Sequence, residues 1–391
     1  MNTSSRSITK PLEGIRVIEI CNVAAGPFCA LLLGDMGADV IKLENPGSGD
    51  TLRAWPPHTG PENDRLSENF ASLNRNKRSI TLDLKNPTDN AKAKKLVASA
   101  DVLIENNRPG VMKRLGLDFD AVLAINPKII YCSISAYGQM GPRANEGGFD
   151  VTIQAMSGIM SVTGEAGGAP VKCGVPVADF TAGLYGAMSI CAQLRQVKQT
   201  GKGVHIDVPM MGTSLAIAAL QTSEYFGVGK DPVKLGSAHP RNAPYQAFKA
   251  KDDYLVMAAG TQALWETVCQ ILQSPQLLED DRFSTTALRA KNQTALKDLI
   301  EFVLQGNTAQ YWIDQFSKAG VPCCPINQYS DVLKDPQTLA MGWVQALEMA
   351  NGQQTHTVIN PIKFNGQNSG IERRPPRLGE HNEEILGYIF K

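Results

Sequence analysis

Short apolar runs alternate with longer mixed segments through the first half of the chain. IRVIEI (Ile15–Ile20) and DVIKLE (Asp39–Glu44) carry β-type patterning on either side of Phe28–Met36, a compact apolar stretch of helical length. Pro27 suits the first turn of that helix, where its missing N–H is harmless, and Gly37 suits its end. A second unit of the same kind follows: SITLDL (Ser79–Leu84), a helical stretch Thr88–Ser99, then DVLIEN (Asp101–Asn106). A further strand, KIIYCSISAYG, comes after Pro127. Strands alternating with helices predict an α/β fold, with a mostly parallel sheet covered by helices on both faces.

Val151–Thr163 and Thr181–Gln196 read as largely buried helices, and a small-residue helix is expected over Ser214–Gly227. The texture then changes. Residues from about 235 to 330 read as a smaller α+β unit. It has a strand near Tyr254–Ala259, helices near Leu264–Leu272 and Lys291–Leu304, and a last helix Ala309–Ala319 stopped by Gly320. The strongest apolar stretches, Leu184–Leu194 and Leu215–Leu220, fall short of the roughly 20 residues of a membrane span. The first residues have no apolar core of a secretory signal, so a soluble, cytoplasmic protein is expected.

Charge narrows the partners. The 391 residues include 38 basic and 38 acidic side chains, a formal net charge of zero, which argues against nucleic-acid binding by bulk electrostatics. Eight cysteines and five histidines show no zinc-like spacing, so no metal is expected, and the cysteines read as buried thiols.

The turn after the first strand, Ala24-Ala25-Gly26-Pro27, lacks the G-x-G-x-x-G of dinucleotide binding. Its small residues either let an anion approach a helix N-terminus or merely allow tight packing. Arg75, Lys77 and Arg78 form a basic cluster that reads as a solvated loop or as a phosphate site. His205 sits in an apparent strand and reads as structural. In GVPVADFTAG (Gly174–Gly183) an aspartate flanked by small and apolar residues precedes a buried-looking helix. Asp179 is therefore either a helix N-cap or a carboxylate serving as nucleophile or base.

Eleven segments then occur in a telling order: LEGIRVIEI, AAGPFCALLLGDMGADVIKLENPGSGDTLR, LNRNKRSITLDLKNP, ADVLIENNRPGVMKRLGLDF, YGQMGP, FDVTIQAMSGIMSVTG, VPVADFTAG, LGSAHPRNAPYQAF, AGVPCCPINQYSDVLKDPQ, NPIKFNG and PPRLGEH. Over nearly its whole length the chain resembles the class III CoA-transferases, which include formyl-CoA transferase and carnitine CoA-transferase. The resemblance implies a Rossmann-like large domain built from both chain ends (1–225 and 335–391), an inserted small domain (226–334) and an interlocked, ring-like homodimer. It makes Asp179 the nucleophile that carries coenzyme A from an acyl-CoA donor to a small carboxylic acid, by way of an aspartyl-CoA thioester.

The family's coenzyme A contacts carry over to Ala24, Ala25, Leu82, Asp83, Leu84, Lys85, Asn106, Asn107, Arg108 and Arg114, with Asn45 at one more contact position. Gly147, Gly148, Phe149 and Asp150 add the pantetheine end. Arg75, Lys77 and Arg78 would join Lys85, Arg108 and Arg114 in meeting the phosphates. Formyl-CoA transferase has an arginine where this chain has Asn45, which removes one phosphate contact. Its glycine loop over the active site is here Gly236, Ser237, Ala238 and His239, a substitution expected to shape acceptor choice. An α-methylacyl-CoA racemase of the same superfamily would carry histidine 30 residues before the aspartate. That position is Phe149, which cannot carry a proton. A non-catalytic acyl-CoA-binding protein is the remaining alternative.

Overall fold

Six of the apolar runs lie side by side as parallel strands in a computed structural model that describes residues 10–389. They are β1 (Arg16–Ile20), β2 (Asp39–Glu44), β3 (Lys77–Thr81), β4 (Val102–Glu105), β5 (Ile130–Ser135) and β6 (Val204–Pro209), in the order β3-β2-β1-β4-β5-β6. Every pairing is parallel, with Val17 opposite both Val40 and Val102. The strand order reverses between β1 and β4. That is the doubly wound arrangement, in which a crevice opens at the carboxyl ends of the two strands flanking the reversal.

Two helix layers cover the sheet. Val17, Val40, Ile104 and Cys132 face α1 (Ala25–Asp35) and α5 (Val177–Thr200), whereas Ile18, Ile41, Leu103 and Tyr131 face α2 (Pro87–Ala98) and α3 (Phe119–Ile125). Apart from Asp35 at its end, helix α1 is apolar all round because it is enclosed between the sheet and α5. Gly183 of α5 permits this: a Cβ there would stand 2.8 Å from the Ala25 carbonyl oxygen. Gly37, at φ +100°, ends α1 as its position predicts. Before α5 comes α4 (Asp150–Met156); after β6 come α6 (Met210–Ile217) and α7 (Ala219–Val228). The single helix expected over Ser214–Gly227 is thus two, parted at Ala218.

Parallel strands buried on both faces are ordinarily apolar throughout. Here Glu19, Lys42, Glu44 and Lys77 sit inside the sheet, Glu19 paired with both lysines and Glu44 with Arg53. Lys42 Nζ lies 2.7 Å from Glu19 Oε1, and Lys77 Nζ 2.8 Å from Glu19 Oε2. Arg75 is buried against Asp35 at 2.6 Å, and Arg78 pairs with Asp39 and Glu384. Neither sequence reading of that basic cluster holds, since its charges are consumed by internal ion pairs with partners that the local sequence does not reveal.

The chain divides into two compact units. The first comprises Met1–Ile159, Lys172–Gly229 and Pro336–Lys391; the second comprises Met160–Val171 and Lys230–Asp335. The segment 160–171, read above with the large domain, groups with the second unit. There, an antiparallel sheet of β7 (Tyr245–Lys249), β8 (Tyr254–Ala258) and β9 (Cys323–Pro325) packs with α8 (Gln262–Ile271), α9 (Gln293–Leu304) and α10 (Ala309–Lys318) around Trp265, Phe248, Phe283 and Phe316. Fully buried Arg289 donates to the carbonyls of Ala243 and Phe283, each at 2.9 Å.

In the first unit, α11 (Asn382–Ile389) follows a segment hydrogen-bonded to β3. All eight cysteines are free. Cys21, Cys29, Cys132 and Cys269 are buried as expected, but Cys324 is exposed. Among the described residues no helix is long and apolar enough to cross a membrane, and no group of three side chains could hold a metal.

Candidate active site

Chain segments leaving the carboxyl ends of β1, β4 and β5 converge at the reversal of strand order. They line a cavity of about 230 Å³ with Asn22, Ala24, Ala25, Asn107, Arg108 and Ser135, and Asp179 belongs to its wall. The loops after β1 and β4 are tied together. Asn106 Oδ1 accepts from the Asn22 N–H at 2.9 Å, and its Nδ2 donates to the Asn22 carbonyl at 2.8 Å. Gly147, Gly148 and Phe149 complete the lining. A Cβ on Gly147 would come within 2.5 Å of an Arg108 nitrogen, so glycine lets the guanidinium lie across this segment.

Asp179 is the third residue of α5, not its N-cap. The N-cap is Pro176, which offers no side-chain hydrogen bond. Capping comes instead from Asp150, whose Oδ1 accepts from the Ala178 N–H at 2.9 Å. Gln154 is fully buried and holds that carboxylate from behind: its Nε2 donates to Asp150 Oδ2 at 2.7 Å, and its Oε1 accepts from the Cys173 N–H at 2.8 Å. The capping role read for Asp179 therefore belongs to Asp150, and among the described residues no side chain engages Asp179 in the cavity. Burial, reinforced by the nearby Asp150 carboxylate, pushes the Asp179 carboxyl up to about 7.

The other expected coenzyme A contacts fall elsewhere in the first unit. Leu84, Lys85 and Arg114 line a second, more open hollow of about 600 Å³ with Asn90 and Lys94. Lys94 escaped the sequence reading because it sits mid-helix among other lysines. The Leu82 side chain is in the core, and Asp83 Oδ1 accepts from the Lys85 N–H at 3.0 Å, shaping the turn before α2. Asn45 is exposed outside both hollows, its Oδ1 accepting from the Gly47 N–H at 2.9 Å.

Gly236, Ser237, Ala238 and His239 lie in the second unit. Gly236 takes φ +60°, Ser237 Oγ accepts from the Ala247 N–H, and His239 Nδ1 accepts from the N–H groups of Arg241 and Asn242. His205 is structural as expected, stacked on Phe119 with Nε2 3.0 Å from Ser133 Oγ. Asn22, Val23, Ser135 and Met210 were missed as lining residues. Their signal is positional, since Asn22 and Val23 follow β1, Ser135 ends β5 and Met210 follows β6, and it becomes visible only once strand order is known.

A family model for CoA-transferase family III matches residues 12–382. The chain is 38% identical over 382 residues to the succinate–glutarate CoA-transferase of Agrobacterium fabrum, covering 97% of this chain and 96% of that one. It is 38% identical over 377 residues to the acetyl-CoA:oxalate CoA-transferase of Acetobacter aceti, covering 96% and 95%. The crystal structure of a CAIB/BAIF family protein from Brucella suis superposes with a TM-score of 0.88 at 37% identity, over 98% of this chain and all of that one.

Proposed function

This chain belongs to CoA-transferase family III, and on that basis we propose that it moves coenzyme A from an acyl-CoA to a small carboxylic acid through covalent intermediates on Asp179. One observation carries the reading: a carboxylate relieved of its capping duty by Asp150 stands free in the cavity at the sheet reversal. Ionised Asp179 attacks the thioester carbonyl, and the C–S bond breaks to give an aspartyl-acyl anhydride and coenzyme A thiolate. The thiolate attacks the aspartyl carbonyl, releasing the donor's acid and leaving an aspartyl-CoA thioester. The acceptor carboxylate then reverses both steps. Two activated intermediates replace a direct exchange between thioester and carboxylate, the gain of covalent catalysis.

The cavity beside Ala24, Ala25, Arg108 and Gly147–Phe149 would take the pantetheine end, with Lys85, Lys94 and Arg114 placed to receive phosphates. Phe149 in the cavity wall carries no proton, which weighs against racemase chemistry. The glutarate and oxalate named for the two relatives support a dicarboxylic acceptor, with selection assigned to Gly236–His239. The interlocked homodimer is part of the same proposal. Leu184 and Met188 on α5 and Phe226 on α7 expose 53%, 60% and 81% of their surface, apolar area that a second copy would cover.

The test is incubation with a panel of acyl-CoAs, trapping with hydroxylamine and mass spectrometry of the peptides. A modified Asp179 peptide is expected, and Asp179→Ala should abolish transfer. Transfer undiminished in Asp179→Ala would sink the mechanism.

A further inference from the structure

Val23 stands at φ +65°, in the left-handed region that a β-branched side chain disfavours, and it lines the cavity beside Asp179. Such a backbone persists only where its surroundings hold it. The Asn106 bridge fixes Asn22 but makes no hydrogen bond to Val23. The Val23 N–H donates instead to Asp50 Oδ1 at 3.1 Å, an oxygen that also accepts from the Leu52 N–H at 2.9 Å. The other carboxylate oxygen of Asp50 is 2.9 Å from Lys42 Nζ, and neither side chain is exposed at all. Lys42 donates in addition to the Cys21 carbonyl at 2.9 Å, immediately before the loop. One buried ammonium therefore grips the loop at its start directly and at Val23 through Asp50.

We infer that Asp50, held by Lys42, is a positioning residue for the coenzyme A cavity: it pins the Val23 amide and keeps Val23, within the Asn22–Ala25 turn, in its left-handed conformation. The inference rests on reading this cavity as the acyl-CoA site. Without the acceptor, Val23 relaxes to negative φ, and the peptide planes on both sides turn with it. Those planes lead into Ala24 and Ala25, whose close approach the cavity depends on. The surrounding charges fit a permanent clamp. Burial pulls the Lys42 ammonium down, but Glu19 and Asp50 outweigh it and hold it above the ordinary lysine value.

Coenzyme A binding by titration calorimetry tests this in the full-length protein. Loss of the clamp predicts that Asp50→Ala binds coenzyme A about tenfold more weakly. Replacing valine by glycine removes the strain, so Val23→Gly in the Asp50→Ala background should recover at least about threefold of that loss. A merely structural role for Asp50 gives no such rescue, because the second change adds no contact to the buried charges. Equal affinity in Asp50→Ala and wild type, or a double variant no tighter than Asp50→Ala, overturns the inference. Wild-type protein that binds no coenzyme A overturns the cavity reading itself, and the inference with it. Should Asp50→Ala fail to fold, hydrogen exchange on the wild type decides: a slowly exchanging Val23 amide without coenzyme A supports the clamp, and exchange at the free-peptide rate refutes it.

Discussion

Asp179 and Asp150 divide between them two duties that a single carboxylate at a helix start often combines. Asp150 satisfies the Ala178 N–H, which leaves the Asp179 carboxylate for the nucleophilic role proposed above. In the proposed mechanism only the ionised form of Asp179 attacks the thioester, and burial pushes its carboxyl from the ordinary 3.8 up to about 7. The rate kcat/KM for the donor should therefore fall about tenfold per pH unit below that value and level off above it. Asp150→Asn keeps an oxygen for the Ala178 N–H but removes the negative charge, so the acid limb should move to lower pH. A limb that stays in place in Asp150→Asn would show that Asp150 does not act on Asp179 electrostatically. Arg108 and Glu146, the other charged side chains lining the cavity, are common to both proteins and do not alter the comparison. At this scale the sequence was readable in part. Asp179 stands out by its apolar flanks, and the resemblance names Asp150 as a coenzyme A contact; its capping role could not be read, because a contact between residues 150 and 178 is set by the packing of α4 against α5.

The pairing of α1 with α5 makes its own prediction. Gly183→Ala gains helix propensity of up to about 1 kcal/mol, yet its Cβ would stand 2.8 Å from the Ala25 carbonyl and 2.9 Å from the Phe28 ring. Overpacking against backbone should prevail, lowering stability by about 1–2 kcal/mol in denaturant unfolding. Because Ala25 lines the cavity, KM for the acyl-CoA should rise as well. A variant as stable as wild type, with unchanged KM, would mean that α1 shifts freely. The βαβ units were legible because apolar runs, Pro27 and Gly37 punctuate them locally. Misreadings came where partners are distant. Arg75 meets Asp35, 40 positions away, and Lys77 meets Glu19 on a strand two places over in the sheet. A basic run therefore looked like a surface loop although the structure closes over it.

For the molecule as a whole, β3 is an outer strand of the six-stranded sheet, and its free edge is covered by residues about 300 positions downstream. The Ser79 N–H donates to His381 Nδ1 at 3.2 Å, and the Thr81 N–H donates to Asn382 Oδ1 at 2.8 Å. Removing the chain from His381 onward should uncover these donors and leave Ile80 and Leu96 without their neighbour Ile385. Aggregation by edge pairing is the expected outcome, read by light scattering; a monodisperse truncated protein would contradict it. The same arrangement bears on how the protein is made. All six strands have been synthesised by residue 209, yet the edge stays open until the ribosome has passed residue 382. For that interval the nascent sheet is a template for neighbouring chains, so slow translation between those points favours misassembly over folding.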